Sequence, residues 1–120
     1  MNTTDNSRSR RQAFDGIVPR RHEDVDVYLI LDELSSLERV WRELSNDQAN
    51  KQTIINMISE GQFHRPMRIV VFNTDEGWSR DETHDIGFEL LDMSHQGIAL
   101  SNAAREFVER TTGHSPKVIV

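Results

Sequence analysis

"DELSSLERVWREL", residues 32–44, is the stretch on which the architecture turns, because it carries two incompatible periodicities. The segment before it, "VDVYLIL" at 25–31, is β-branched and aromatic, and apolar on both faces from Val27 to Leu31. That is the composition of a buried central strand. Beyond it, Leu37, Val40, Trp41 and Leu44 fall at i, i+3, i+4 and i+7, one face of a helix. Ser35 and Glu38 stand at capping-box spacing just ahead. The rival is a hairpin in which "ERVWRE" folds back on the first strand across "ELSS", since valine and tryptophan also suit strands. The spacing favours the helix, with Trp41 in the core at an expected cost of about 3 kcal/mol for Trp41→Ala. The alternative role for Trp41 is an interface anchor flanked by Arg39 and Arg42.

Downstream, Asp47 is placed to cap a helix through "QANKQTIINMISE", with Ile54, Ile55, Met57 and Ile58 inward and Gly61 at its end. "QFHRP" reads as a loop, since Pro66 pushes the residues before it toward extended geometry. "MRIVVF", residues 67–72, reads as a second strand with Ile69 to Phe72 buried. In "RDETHDIGFELLDMS" a helical stripe of Ile86, Leu90 and Met93 is broadened by Phe88 and Leu91. "SNAAREFVERTTG" has Ser101 as cap, Ala104, Phe107 and Val108 inward, and Gly113 as stop. No internal repeat is visible at a period of 20 to 50 residues.

Two strands joined through helices are expected to be parallel neighbours, and so small a parallel sheet needs something on its edges. The candidates are "ERVWRE", the terminal "KVIV", or a second copy of the chain. The expected fold is therefore α/β: a small single-layer sheet of two or three strands packed with three to four helices. Residues 1–22 read as a disordered basic leader, 23–113 as the compact domain, and 114–120 as a short tail or edge strand.

The 120 residues and 36% apolar content suffice for one modest core. With no cysteine, a disulfide framework, a thiolate metal site and a cysteine nucleophile are excluded together. No run of about 18 apolar residues exists and the amino terminus lacks a secretory apolar stretch, so a cytoplasmic protein without membrane contact is expected. The net charge of -6 is unevenly spread: residues 1–22 carry five arginines against two aspartates, which leaves the body strongly acidic. An acidic body repels the phosphate backbone, so nucleic acid is disfavoured as a partner except through the arginine-rich leader.

The densest polar cluster is "RIVVFNTDEGWSRDETHDI", residues 68–86. Ser79 and Glu82 have capping-box spacing, Asp81, Glu82 and Asp85 suit a helix amino terminus, and Gly77 suits a turn. Trp78 is large for a polar loop, and is expected either across the end of the core or exposed as an anchor. If the strands were parallel, Asp32 and Asp75 at their carboxyl ends, helped by His84, would be the candidate ligands of a hard cation, the less favoured reading. No phosphate-binding glycine fingerprint, no nucleophile elbow and no HExxH or HxH pair occurs, so no cofactor is expected.

The chain resembles a group of small bacterial proteins of unknown function. They share a strand ending in "LD", a "GQ" followed shortly by proline, and a segment of the type FNT.EGW.RD. The resemblance spans about residues 25–92 and is most specific at Phe72, Asn73, Thr74, Glu76, Gly77, Trp78, Arg80 and Asp81. It implies a shared fold and no chemistry; in that group the segment matching 33–44 is often glycine-containing, which suits a hairpin. The expectation is a small binding or interaction protein, self-associating as a homodimer or engaging a protein partner. Its candidate binding residues are Asn73, Asp75, Gly77, Trp78 and Arg80. The alternative is a metal-dependent enzyme or metal-binding domain built on Asp32, Asp75 and His84.

Overall fold

The computed structural model describes residues 26–45 and 49–117. The leader at 1–22, the proposed cap Asp47 and the last residues of "PKVIV" lie outside them. Along the chain run β1 (Asp26–Ser35), β2 (Glu38–Leu44), α1 (Lys51–Ser59), β3 (Pro66–Asn73), β4 (Trp78–Asp81), α2 (Thr83–His95) and α3 (Asn102–Thr112). The strands form one sheet in the order β2-β1-β3-β4, antiparallel throughout. The expected two or three strands are thus four, and the expected parallel neighbours are antiparallel.

The correction comes from residues 33–44, which form a hairpin and not a helix. Leu31 stands opposite Trp41, and Leu29 opposite Glu43. Ser35 caps nothing; its hydroxyl accepts from the Leu37 amide inside the hairpin turn. The helical stripe fails because it is not buried: Leu37 is 96% exposed and Trp41 52%. Period two wins because it puts Val40 and Leu44 on the face shared with the helices and gives the backbone of β1 a partner. It also lets the Arg42 side chain reach Asp32. Strand β1 opposes both of its neighbours, so β2 and β3 run parallel to one another on either side of it, joined through α1.

One face of the sheet builds the core. Tyr28, Ile30, Ile69 and Val71 meet Ile54, Ile55 and Ile58 of α1, Ile86, Leu90 and Leu91 of α2, and Ala104, Phe107 and Val108 of α3. Asn50 caps α1, accepting from the Thr53 amide at 2.9 Å, and Ser101 caps α3 as its spacing suggests, accepting from Ala104. Helix α2 begins later than expected. Ser79 lies in β4; the N-cap is Glu82, which makes no side-chain cap bond, and Asp81 just ahead of it accepts from both the amide and the hydroxyl of Thr83. Phe88, assigned to the inner stripe of α2, is 47% exposed.

Helices α2 and α3 cross at Gly87. A β-carbon built there would lie 2.1 Å from Thr111 Oγ1 and 3.1 Å from Thr111 Cβ. Alanine's helix propensity, worth up to about 1 kcal/mol over glycine, is therefore opposed by a contact that neither helix can relieve without moving. Gly87→Ala is expected to lower stability by about 1–3 kcal/mol in urea denaturation. Adding Thr111→Ala should recover part of that loss.

Candidate functional site

All five candidate binding residues belong to the β3–β4 hairpin, where most have a structural task. Asn73 is buried and bonded both ways: its Nδ2 donates to Asp26 at 3.1 Å, and its Oδ1 accepts from the Glu76 amide at 2.8 Å. Its carbonyl closes the turn by accepting from the Gly77 amide. Gly77 has a φ of 76°, a conformation that disfavours any side chain. Asp75 is exposed at the tip. Trp78 resolves the question its size raised: it is half-buried and packs against the core cluster. Its indole N–H donates to Glu76 at 2.6 Å. The Arg80 guanidinium lies 4.6 Å from its ring, a cation–π contact, while Arg80 Nε donates to Glu82 at 2.8 Å.

Asp32, Asp75 and His84 are not brought together. Antiparallel pairing sets Asp32 opposite Pro66 at the start of β3, whereas Asn73, just before Asp75, stands opposite Asp26. At about 3.3 Å per residue, the two carboxylates sit roughly 20 Å apart along the sheet. His84 is exposed on the first turn of α2. No group of three or more acidic or histidine side chains among the described residues is arranged to hold a metal ion.

Asp32 does something the sequence pattern did not reveal. It is fully buried, and its carboxylate accepts three hydrogen bonds: Arg42 Nε at 3.0 Å, the His64 amide at 3.0 Å and the Arg65 amide at 2.7 Å. The "LD" and the "GQFHRP" turn are thus one device, in which the acid ending β1 supplies the acceptors for a loop that proline keeps extended. Beside it, Glu33 accepts from Arg39 and Arg65, and Arg65 also reaches Glu106 on α3. Those arginine hydrogen bonds hold the Glu33 carboxyl below its ordinary range.

A second buried carboxylate, Glu82, spends one oxygen on Arg80, and its Oε1 has no hydrogen-bond partner among the described residues. Burial raises the neighbouring Tyr28 hydroxyl above its usual range, and the charges of Glu82 and Asp26 add to the effect. A cleft between the end of β2 and α1 is lined by Leu44, Thr53, Asn56, Met57, Glu60 and Gln62. It contains a single ionisable side chain and no candidate nucleophile–base pair.

The largest feature that sequence reasoning missed is the sheet's other face. Val27, Leu29 and Leu31 of β1 alternate with the buried Tyr28, Ile30 and Asp32 and are only partly covered. Register places Trp41 beside Leu31, Val70 beside Leu29 and Phe72 beside Val27. This apolar stripe is rimmed by Arg39, Glu43, Arg68 and Asp81, and Arg68 pairs with Asp81 across its border. The helices' buried residues pack on the opposite face. The signal lies in the unbroken apolar run of β1, which a central strand covered on both sides would share.

Comparison with protein-family models, curated proteins and solved structures returns no match, so the geometry alone carries the functional reading. No helix among the described residues is long and apolar enough to cross a membrane.

Asp32→Ala is expected to cost about 3 kcal/mol in urea denaturation, because two backbone amides and Arg42 lose their acceptor together. Asp32→Asn, which keeps an acceptor oxygen, should cost less. The pH profile is set by shifts of opposite sign. Burial opposes ionisation of Asp81, but hydrogen bonds from the Thr83 hydroxyl and amide and from Arg68 outweigh it and leave the carboxyl below its ordinary value. With Glu33 lowered as well, their stabilisation is present above the ordinary carboxylate range and is lost as pH falls through it. Tyr28, raised, contributes below about pH 10 and loses its contribution above. Denaturation midpoints against pH should form a plateau that drops at both ends, with the acid limb shrinking in high salt as the exposed pairs are screened.

Proposed function

We propose that the protein is a small cytoplasmic interaction module that binds other polypeptides, its own copies included, through the face of its sheet that no helix among the described residues packs against. The observation that carries this reading is the apolar stripe of Val27, Leu29, Leu31, Val70 and Phe72, with the half-exposed Trp41 beside it. A sheet that packs helices on one face normally turns polar residues to water on the other, so an apolar second face marks a contact surface. Tryptophan and arginine are both enriched where binding energy concentrates. The rim of Arg39, Glu43, Arg68 and Asp81 carries both signs of charge, which suits a protein surface better than a polyanion.

Trp78 and Arg80, by contrast, hold β4 against the core. They alternate onto the face that the helices cover, and the open face has Trp41 at its margin.

A photo-cross-linking amino acid placed at position 41 is expected to give discrete adducts in cells expressing the protein. The same group at position 89, on exposed α2, should give none. Val70→Lys, in the middle of the stripe, should abolish the position-41 adducts with other proteins while circular dichroism shows the fold intact. Equal labelling at 41 and 89, or adducts with other proteins that are indifferent to Val70→Lys, would remove this face as the binding surface.

A further inference from the structure

We infer that a second copy of the chain pairs antiparallel with the outer edge of β2, joining two four-stranded sheets into one of eight about a two-fold axis. This pairing rests on the sheet being the interaction surface, and adds to it a partner, an edge and a register.

Among the described residues β2 pairs only with β1, so its other edge offers unpaired backbone groups. Its side chains are exposed or half-exposed along the whole strand. Edge strands normally use charge to discourage such pairing. Here the charges are ordered to permit it. When "ERVWREL" is laid antiparallel to itself and centred on Trp41, Arg39 of each copy stands opposite Glu43 of the other. Trp41 then meets Trp41, and the remaining pairs join Val40 with Arg42 and Glu38 with Leu44. Two opposite-charge pairs thus flank an aromatic pair, and both kinds of cross-strand contact stabilise a sheet.

The neighbouring registers are worse. A slip of one residue in one direction sets Glu38 against Glu43 and Arg39 against Arg42, and turns one sheet over. A slip of one in the other direction also turns a sheet over and brings no acid opposite a base. Moving two residues one way puts Arg42 against Arg42. Moving two the other way pairs Glu38 with Arg42 on the helix side of the sheet and sets Val40 against Val40, which removes the aromatic pair from the open face.

The Trp41 register also extends what each sheet already has. Arg39, Trp41 and Glu43 pair with Glu33, Leu31 and Leu29 of β1 on the open face. The dimer therefore carries an unbroken apolar row from Leu31 through the two tryptophans to Leu31 of the second copy. On either side, Arg39 lies between its own Glu33, 3.0 Å away, and Glu43 of the other chain.

Sedimentation velocity on the full chain over a concentration series tests this. The wild type should reach twice the monomer mass. Glu43→Arg should weaken association about tenfold or more, since it sets arginine against arginine at two places; Arg39→Glu should do likewise with acids. Mixing the two variants in equal amounts should restore a dimer, because every charge then meets its opposite. Trp41→Cys, which introduces the sole cysteine in the chain, should form a symmetric disulfide-linked dimer under mild oxidation. Circular dichroism melts confirm that each variant folds.

Folded variants that stay monomeric when mixed, or a dimer insensitive to both charge reversals, would overturn the register and the edge. A wild type that stays monomeric, while the position-41 cross-linker captures a different protein, would overturn self-pairing and leave the surface standing. Failure of both experiments would remove the surface as well.

Discussion

The Asp32 carboxylate is the constraint on which the arrangement of this protein depends. It ends the buried part of β1, anchors the guanidinium of β2 from one side, and supplies both acceptors for the extended turn that delivers the chain into β3. A buried carboxylate left unpaired is costly enough to disfavour the fold that contains it. Any arrangement that keeps Asp32 buried must therefore bring the hairpin and the 62–66 turn to the same point. The irregularity in β1–β3 pairing leaves Met67 of β3 unpaired between Arg68, opposite Leu31, and Pro66, opposite Asp32, while β1 keeps the alternation that turns Asp32 inward. One side chain thus contacts the elements on both flanks of the central strand. The neighbouring chain of Glu33, Arg65 and Glu106 extends the tie to α3 in a more exposed and more screened form.

That geometry makes a one-sided molecule. Three helices share a single face of a four-stranded sheet, and the strand order β2-β1-β3-β4 is symmetric about the β1–β3 seam, each half being a hairpin followed by a helix. Among the described residues, the helices pack against one side of the sheet only. The apolar residues left on the other side are too contiguous to be incidental, and the tryptophan that the helical period assigns to the interior sits at their margin.

Much of the fold is legible in the sequence because several signals agree. In α3, the Ser101 cap, the inward Ala104, Phe107 and Val108, and the terminal Gly113 all point one way, and the helix forms as read. Strands β1 and β3 announce themselves through β-branched runs. The failure at 33–44 has a definite physical source: Leu37, Val40, Trp41 and Leu44 satisfy the helical period, while Val40 and Leu44 also satisfy the strand period. Only the long-range demand of β1 for a partner separates the two. Strand β4 is hidden because "WSRD" contains no apolar alternation, and because Ser79 and Glu82 imitate a cap. The carboxylates at 32 and 75 suggest a shared site only under parallel pairing, so one wrong secondary-structure assignment carries directly into the candidate chemistry. The role of Asp32 is not readable from its neighbours in sequence, since two of its three partners lie more than thirty residues away.

The central strand also sets the order in which the molecule can assemble. Its pairing with β2 closes a short turn, whereas its pairing with β3 joins positions as distant as Asp26 and Asn73, across the whole of α1. The entropy of closing that larger loop must be met before the core rewards it. The β1–β2 hairpin is therefore the entropically cheaper pairing to close, and the β1–β3 pairing the more demanding one. A chain in which only the hairpin has closed would leave the β3 side of β1 unpaired. A newly made chain is then most exposed to mispairing in the interval between those two pairings.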